Sequence, residues 1–86
     1  MFKLEWTKRA MKELAKIQPP KQRQKIFAAV GELSECPTAN TNVKALKNHS
    51  VGFRLRVGDY RVLFDVDNGI RIVTIQEVKK RDDRTY

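Results

Sequence analysis

Between Phe53 and Val78 the chain carries two tight-turn dipeptides, Gly58-Asp59 and Asn68-Gly69, each flanked by runs in which apolar and polar residues alternate. That pattern permits little but an antiparallel meander, with strands expected at about 53–57, 60–66 and 70–78. Gly at the first central position of the first loop suits a type II′ turn, which sets Val57 opposite Tyr60, Arg56 opposite Arg61, Leu55 opposite Val62 and Phe53 opposite Phe64. A two-residue loop at Asn68-Gly69 sets Asp67 opposite Ile70, Phe64 opposite Val73 and Val62 opposite Ile75. Side chains alternate across a strand, so both registers gather Phe53, Leu55, Val57, Val62, Phe64, Val73 and Ile75 on one side. That side needs a cover.

The preceding residues supply it. Phe2, Leu4 and Trp6 alternate with Lys3 and Glu5 as in a half-buried strand, and Thr7 is placed to cap a helix running to about Ile17. Its inward residues are expected to be Ala10, Met11, Leu14 and Ile17. Pro19-Pro20 ends this helix and opens a second, whose Ile26, Ala29, Val30 and Leu33 repeat at helical spacing while Lys21, Arg23 and Lys25 stay in water. Gly31 inside it suggests close packing, and Pro37 ends it. Residues 38–51 read as a polar connecting loop with one turn near 43–46. The expected architecture is α+β: an N-terminal strand, then a two-helix hairpin packed on one face of a mostly antiparallel sheet.

Strand parity also fixes the opposite face, which receives Arg54, Arg56, Arg61, Leu63, Thr74 and Gln76. Like charges directly across a sheet are destabilising, by roughly 1 kcal/mol at about 4 Å in bulk water. Asp65 shares this face beyond Leu63, whereas Glu77 has the other parity, so the arginines are under-neutralised. Lys44, Lys47 and His49 precede the meander, and Lys79, Lys80, Arg81 and Arg84 follow its last strand. All are candidate contacts to a polyanion. Fixed guanidinium donors on a rigid sheet suit a phosphate that gains charge in a transition state. Tyr86 is a candidate for stacking on a base.

Charge agrees with this reading. The 86 residues hold 18 Lys+Arg against 10 Asp+Glu, a formal net charge of +8, which points to an anionic partner rather than to any fold. One domain is expected at this length. No apolar run approaches a membrane span and MFKLEWTKRA has no secretory pattern, so a cytoplasmic protein is expected. The lone Cys36 excludes an internal disulfide and is expected to be a small packed residue. Asp65, Asp67, Asp82 and Asp83 lack a second ligand cluster, and with one histidine there is no His-based triad or zinc site, so neither metal nor cofactor is expected.

The stretches RAMKELAKI, ALKNHSVGFRLRVGDYRVLFDV and VKKRDDRTY resemble the RelE/ParE toxin superfamily of type II toxin–antitoxin systems, and FRLRVGDYRVLFDV resembles its RelE branch. The resemblance covers nearly the whole chain. It implies a βααβββ-type fold and a ribosome-dependent endoribonuclease that cleaves messenger RNA in the A site by 2′-hydroxyl attack on the adjacent phosphate, without metal. It further implies a cognate acidic antitoxin, a toxin–antitoxin hetero-oligomer, and the ribosome with its RNA as partners. By the same resemblance Arg54 and Arg56 stand where relatives carry basic residues that activate the hydroxyl. Arg61 would hold the scissile phosphate, Arg81 would protonate the leaving oxygen, and Tyr86 would orient a base. Arginine stays protonated, so Arg54 and Arg56 are poorer general bases than lysines; charge stabilisation, or a base supplied by His49 or Lys47, remains open. Two other functions are compatible with these residues: a ParE-like DNA gyrase inhibitor and a non-catalytic nucleic-acid-binding module.

Overall fold

The computed structural model describes residues 1–38, 42–47 and 51–80. β1 (Lys3–Trp6) leads into α1 (Lys8–Ala15) and α2 (Pro20–Gly31), which ends in a 3₁₀ turn (Glu32–Ser34). β2 (Val43–Ala45), β3 (Phe53–Val57), β4 (Tyr60–Asp67) and β5 (Ile72–Lys80) follow. The five strands form one sheet in the order β1-β5-β4-β3-β2, with β1 parallel to β5 and the remaining pairs antiparallel. Among the described residues no helix is long and apolar enough to cross a membrane.

Local chemistry accounts for the helices. Thr7 Oγ1 accepts the Ala10 N–H at 3.1 Å, capping α1, and donates to the Ile75 carbonyl at 3.0 Å, tying the start of the helix to β5. Pro20 begins α2, where its missing N–H costs nothing. Arg23 Nη1 donates to the Ile17 carbonyl at 2.8 Å and joins the two helices. Ala10, Ile17, Ile26, Val30 and Leu33 pack on Leu55, Val57, Val62, Phe64, Val73, Ile75 and Val78. Each large side chain so buried contributes about 1.5–3 kcal/mol. Phe53 is only partly buried and stacks on Phe64, ring centroids 5.6 Å apart.

Several expectations are corrected. Residues 43–45 form a strand instead of a turn, pairing Val43, Lys44 and Ala45 with Leu55, Arg54 and Phe53; three residues are too few to read as a strand from their own pattern. Met11 is 59% exposed, because α1 turns Ala10 and Leu14 toward the sheet. Cys36 is exposed as well. A Cβ at Gly31 would meet nothing within 4 Å, so this glycine does not serve close packing.

The β4–β5 register differs by two residues from that expected. Asp67 Oδ1 accepts the N–H groups of Gly69 at 2.9 Å and Ile70 at 3.1 Å, and Arg71 follows in the left-handed region with φ 58°. The carboxylate thus winds 68–71 into a longer loop, and Asp67 pairs with Ile72 and Phe64 with Ile75. A shift of two keeps every side chain on its face, which is why the core assignment survives. A bulge at Leu63/Phe64 then leaves Gln76 without a partner, and Leu63 pairs with Glu77, Val62 with Val78 and Arg61 with Lys79. Parity therefore inverts beyond Gln76, and Glu77 lies on the arginine face rather than the core face.

Candidate functional site

The first hairpin has the expected geometry. Gly58 has φ +56° while Asp59 does not adopt positive φ, as a type II′ turn requires, and Arg56 lies directly opposite Arg61. The Arg56 N–H points away from Arg61 and donates to the Asn42 carbonyl at 2.9 Å. The two arginines are therefore a non-hydrogen-bonded pair, the kind whose side chains stand closest.

Neighbouring strands extend this pair into two rows. One row runs Arg56, Arg61, Lys79; the other runs Lys44, Arg54, Leu63, Glu77. Leu63 is 7% exposed although it lies on the face away from the helices. Arg54 and Arg61 are partly buried and Arg56 is exposed. Arg54 Nε is buried and has no hydrogen-bond partner among the described residues.

The nearby carboxylates are committed elsewhere. Asp65 accepts the Gly52 N–H at 2.8 Å and the Gln76 side-chain amide at 3.2 Å, fixing the start of β3 and the bulge. Glu77 pairs with Arg9 at 2.8 Å. Lys79 Nζ lies 2.9 Å from Glu13 Oε2 and 4.0 Å from Glu77 Oε1, and Glu13 Oε1 accepts the Val78 N–H at 3.0 Å. Burial opposes ionisation of Glu13, but the hydrogen bonds from Lys79 and Val78 and the charges of Lys79 and Arg9 outweigh it and hold the carboxyl below its ordinary value. Glu13 thereby closes the free edge of β5 and draws Lys79 toward α1.

The candidate residues consequently sort into groups. Arg54, Arg56, Arg61 and Lys44 share one face, and Lys79 has its backbone there while its ammonium is paired with Glu13. Lys80, opposite Tyr60 and two residues from Val78, belongs to the helix-side parity and is not gathered with them. Lys47 is exposed just past β2. His49, Arg81, Arg84 and Tyr86 lie outside the described residues. Sequence reasoning missed Glu13 and Arg9 and put Glu77 on the opposite face; the Arg9–Glu13 spacing of four on a helix was a legible sign of an ion pair, but its reach to β5 was not.

On the far side from this face, Trp6 stacks on Phe27 with centroids 5.9 Å apart. With Met11, Leu14, Ala28 and Arg23 they line an apolar groove of about 490 Å³ between α1 and α2.

Residues 4–84 match the family model for the ParE toxin of the type II toxin–antitoxin system parDE. No curated protein matches by sequence. Among solved structures, the chain is similar to the archaeal RelE–RelB complex of Pyrococcus horikoshii (TM-score 0.81, 22% identity, 95% of this chain and 97% of that chain covered). It is also similar to the RelBE2 toxin–antitoxin complex of Mycobacterium tuberculosis (TM-score 0.68, 28% identity, 93% and 98% covered), and to the intact RelBE complex of E. coli (TM-score 0.77, 21% identity, 95% and 99% covered). The matched span takes in both helices and all the strands that carry the arginine face, and the chain belongs to the ParE toxin family of type II toxin–antitoxin systems, within the RelE/ParE superfamily and with a RelE-like fold.

Proposed function

We propose that this toxin is a RelE-type endoribonuclease that cuts messenger RNA in the ribosomal A site, residues 1–86 acting as a single toxin domain. The observation that carries the reading is the directly opposed pair of Arg56 and Arg61 on a face turned away from the core, with Arg54 and Lys44 in the adjoining row. In the reaction the RNA 2′-oxygen bonds to the neighbouring phosphorus as the bond from phosphorus to the 5′-oxygen breaks. The attacking hydroxyl gives its proton to His49, Lys47 or solvent water, the departing oxygen takes one from solvent, and the products are a 2′,3′-cyclic phosphate and a 5′-hydroxyl. Negative charge grows on the non-bridging oxygens, where Arg61 and Arg56 are suited to receive it without reorganisation. A guanidinium holds its proton too tightly to deprotonate a sugar hydroxyl, so Arg54 and Arg56 act by charge rather than as bases. Arg81 is assigned a charge-assisted hydrogen bond to the leaving oxygen and Tyr86 the stacking of a base. Lys44, Lys47, His49 and Arg84 are assigned contacts to the strand, with Lys79 and Lys80 at its margin.

An acidic antitoxin is the proposed partner in a hetero-oligomer, and the ribosome with its message the proposed target. The net charge of +8 favours an acidic partner, and the apolar groove with Met11 and Phe27 59% and 61% exposed supports a protein interface. The test compares wild type with Arg61→Ala on translating ribosomes, mapping message ends. Wild type is expected to cut, and the variant to lose a factor of about 10²–10³ in rate. Intact message despite growth arrest counts against the proposal. The family match favours a second reading, gyrase inhibition. Undiminished toxicity of Arg61→Ala together with a supercoiling defect would establish that one instead.

A further inference from the structure

At the end of the sheet nearest the Gly58 turn, a second concavity of about 420 Å³ opens between α2 and β3. Its position follows from the strand pattern. β2 covers β3 only as far as Leu55, Asn42 takes the Arg56 N–H, and beyond it the concavity lies between Val57 and α2. Residues 25 and 28 follow one another along one stripe of that helix, and Glu32 opens the 3₁₀ turn just beyond it. Lys25 stands at one end, Glu32 at the other, and Ala28 between them, with Val57 and Asn42 completing the walls. Arg56 of the candidate site lines the same space. Lys25 Nζ reaches to 3.8 Å from where a Cβ on Gly58 would stand, so its ammonium sits beside the hairpin tip.

Three kinds of group converge here. Two cations offer donors to a phosphate, the exposed Ala28 gives a small apolar surface, and a carboxylate stands on the wall. None of Lys25, Glu32 and the Arg56 guanidinium makes an ion pair or side-chain hydrogen bond among the described residues. The volume is within the range of small-ligand sites. Because Arg56 borders both the arginine face and this concavity, a strand held at the first runs naturally into the second.

The geometry points to this concavity as a nucleotide subsite that holds a residue of the RNA strand flanking the scissile phosphate. Lys25 and Arg56 take the phosphate, Ala28 takes the face of the base, and Glu32 accepts a hydrogen bond from an exocyclic amine. A carboxylate accepts from the amine of cytosine, and uracil has no such group. The subsite therefore favours amine-bearing bases. This inference rests on the endoribonuclease reading.

The test uses the full chain and 2′-O-methyl oligonucleotides, which it cannot cleave, with binding read by fluorescence anisotropy over a salt series. Lys25→Ala is expected to weaken oligo-C binding about fivefold and to flatten the logarithmic salt dependence by about 0.7, the value for one single-strand phosphate contact. Lys16→Ala, at the C-terminal cap of α1, serves as the control and is expected to change neither. Wild type is expected to bind oligo-C more tightly than oligo-U by about tenfold, and Glu32→Gln to remove most of that difference. Equal behaviour of Lys25→Ala and Lys16→Ala, or a base preference unaltered in Glu32→Gln, overturns the subsite. So does a Lys25→Ala variant that loses antitoxin binding while keeping RNA affinity and salt slope, which would make the concavity a protein contact. If the wild type leaves message intact on translating ribosomes, the endoribonuclease reading itself falls. If Arg61→Ala is inactive and the Lys25 and Glu32 variants bind normally, only the subsite falls.

Discussion

Arg56→Glu should stabilise the fold while destroying the site. Arg56 and Arg61 face each other as a non-hydrogen-bonded pair, since the Arg56 N–H is turned to Asn42, and in such pairs the Cα atoms are only about 4.5 Å apart. Two unit charges about 5 Å apart repel by about 0.8 kcal/mol in bulk water, and reversing one sign turns that repulsion into an equal attraction. The full swing is thus about 1.6 kcal/mol, and because long side chains splay and cross-strand pairs contribute only about 0.2–1 kcal/mol, we expect a net gain of about 1 kcal/mol at low salt. In urea denaturation this raises the midpoint at constant slope, and in thermal unfolding it raises Tm by about 4–8 °C for a domain of this size. Arg56→Ala should deliver about half of the gain. The screening length falls from about 30 Å at 0.01 M salt to about 3 Å at 1 M, so the gain should largely vanish in concentrated salt. RNA cutting should fall in both variants under all conditions. A stability unchanged or lowered at low salt, or a gain insensitive to salt, would refute the claim that these guanidiniums repel across the strands.

Three further outcomes follow from the loops and the β5 edge. Because the Glu13 carboxyl is held below its ordinary value, its contribution to stability is complete above the unfolded-state value near 4.5 and is lost as pH falls through the lower folded-state value. Denaturation curves for wild type and Glu13→Gln should therefore keep a constant separation at neutral pH and converge in acid; a separation that widens in acid would show the sign to be wrong. Arg71, held at φ 58°, should gain about 0.5–1 kcal/mol on replacement by Gly, while Asp67→Ala, which frees the N–H groups of Gly69 and Ile70, should lose about 1 kcal/mol; chemical denaturation measures both, and a destabilised Arg71→Gly would contradict the strain argument.

Where the sequence was legible, one local interaction decided the outcome. Gly58 at positive φ leaves the first hairpin a single register, and with it the placement of Arg54, Arg56 and Arg61 on one face. Asn68-Gly69 misled because the Asp67 carboxylate competes for the same amides and enlarges the loop. The bulge at Leu63/Phe64 is tied to Asp65 through Gln76 and to Gly52 through the same carboxylate, contacts between segments far apart in the chain that no local pattern encodes. The same is true of Glu13, which meets Val78 and Lys79 only after α1 has packed beside β5. β2 escaped notice because its pairing lies with β3, not in its own composition.

The parallel pairing of Lys3 through Trp6 with Ile72 through Ile75 has a temporal meaning. A nascent chain emerging from a ribosome presents β1 long before any strand exists that can hydrogen-bond to it. Closure of the sheet thus waits on a contact spanning most of the described polypeptide, which is the slow, non-local kind. Partial synthesis through β4 yields a hairpin bearing arginines but no finished scaffold to brace them, so potency should be absent until β5 has been made instead of accumulating along the way.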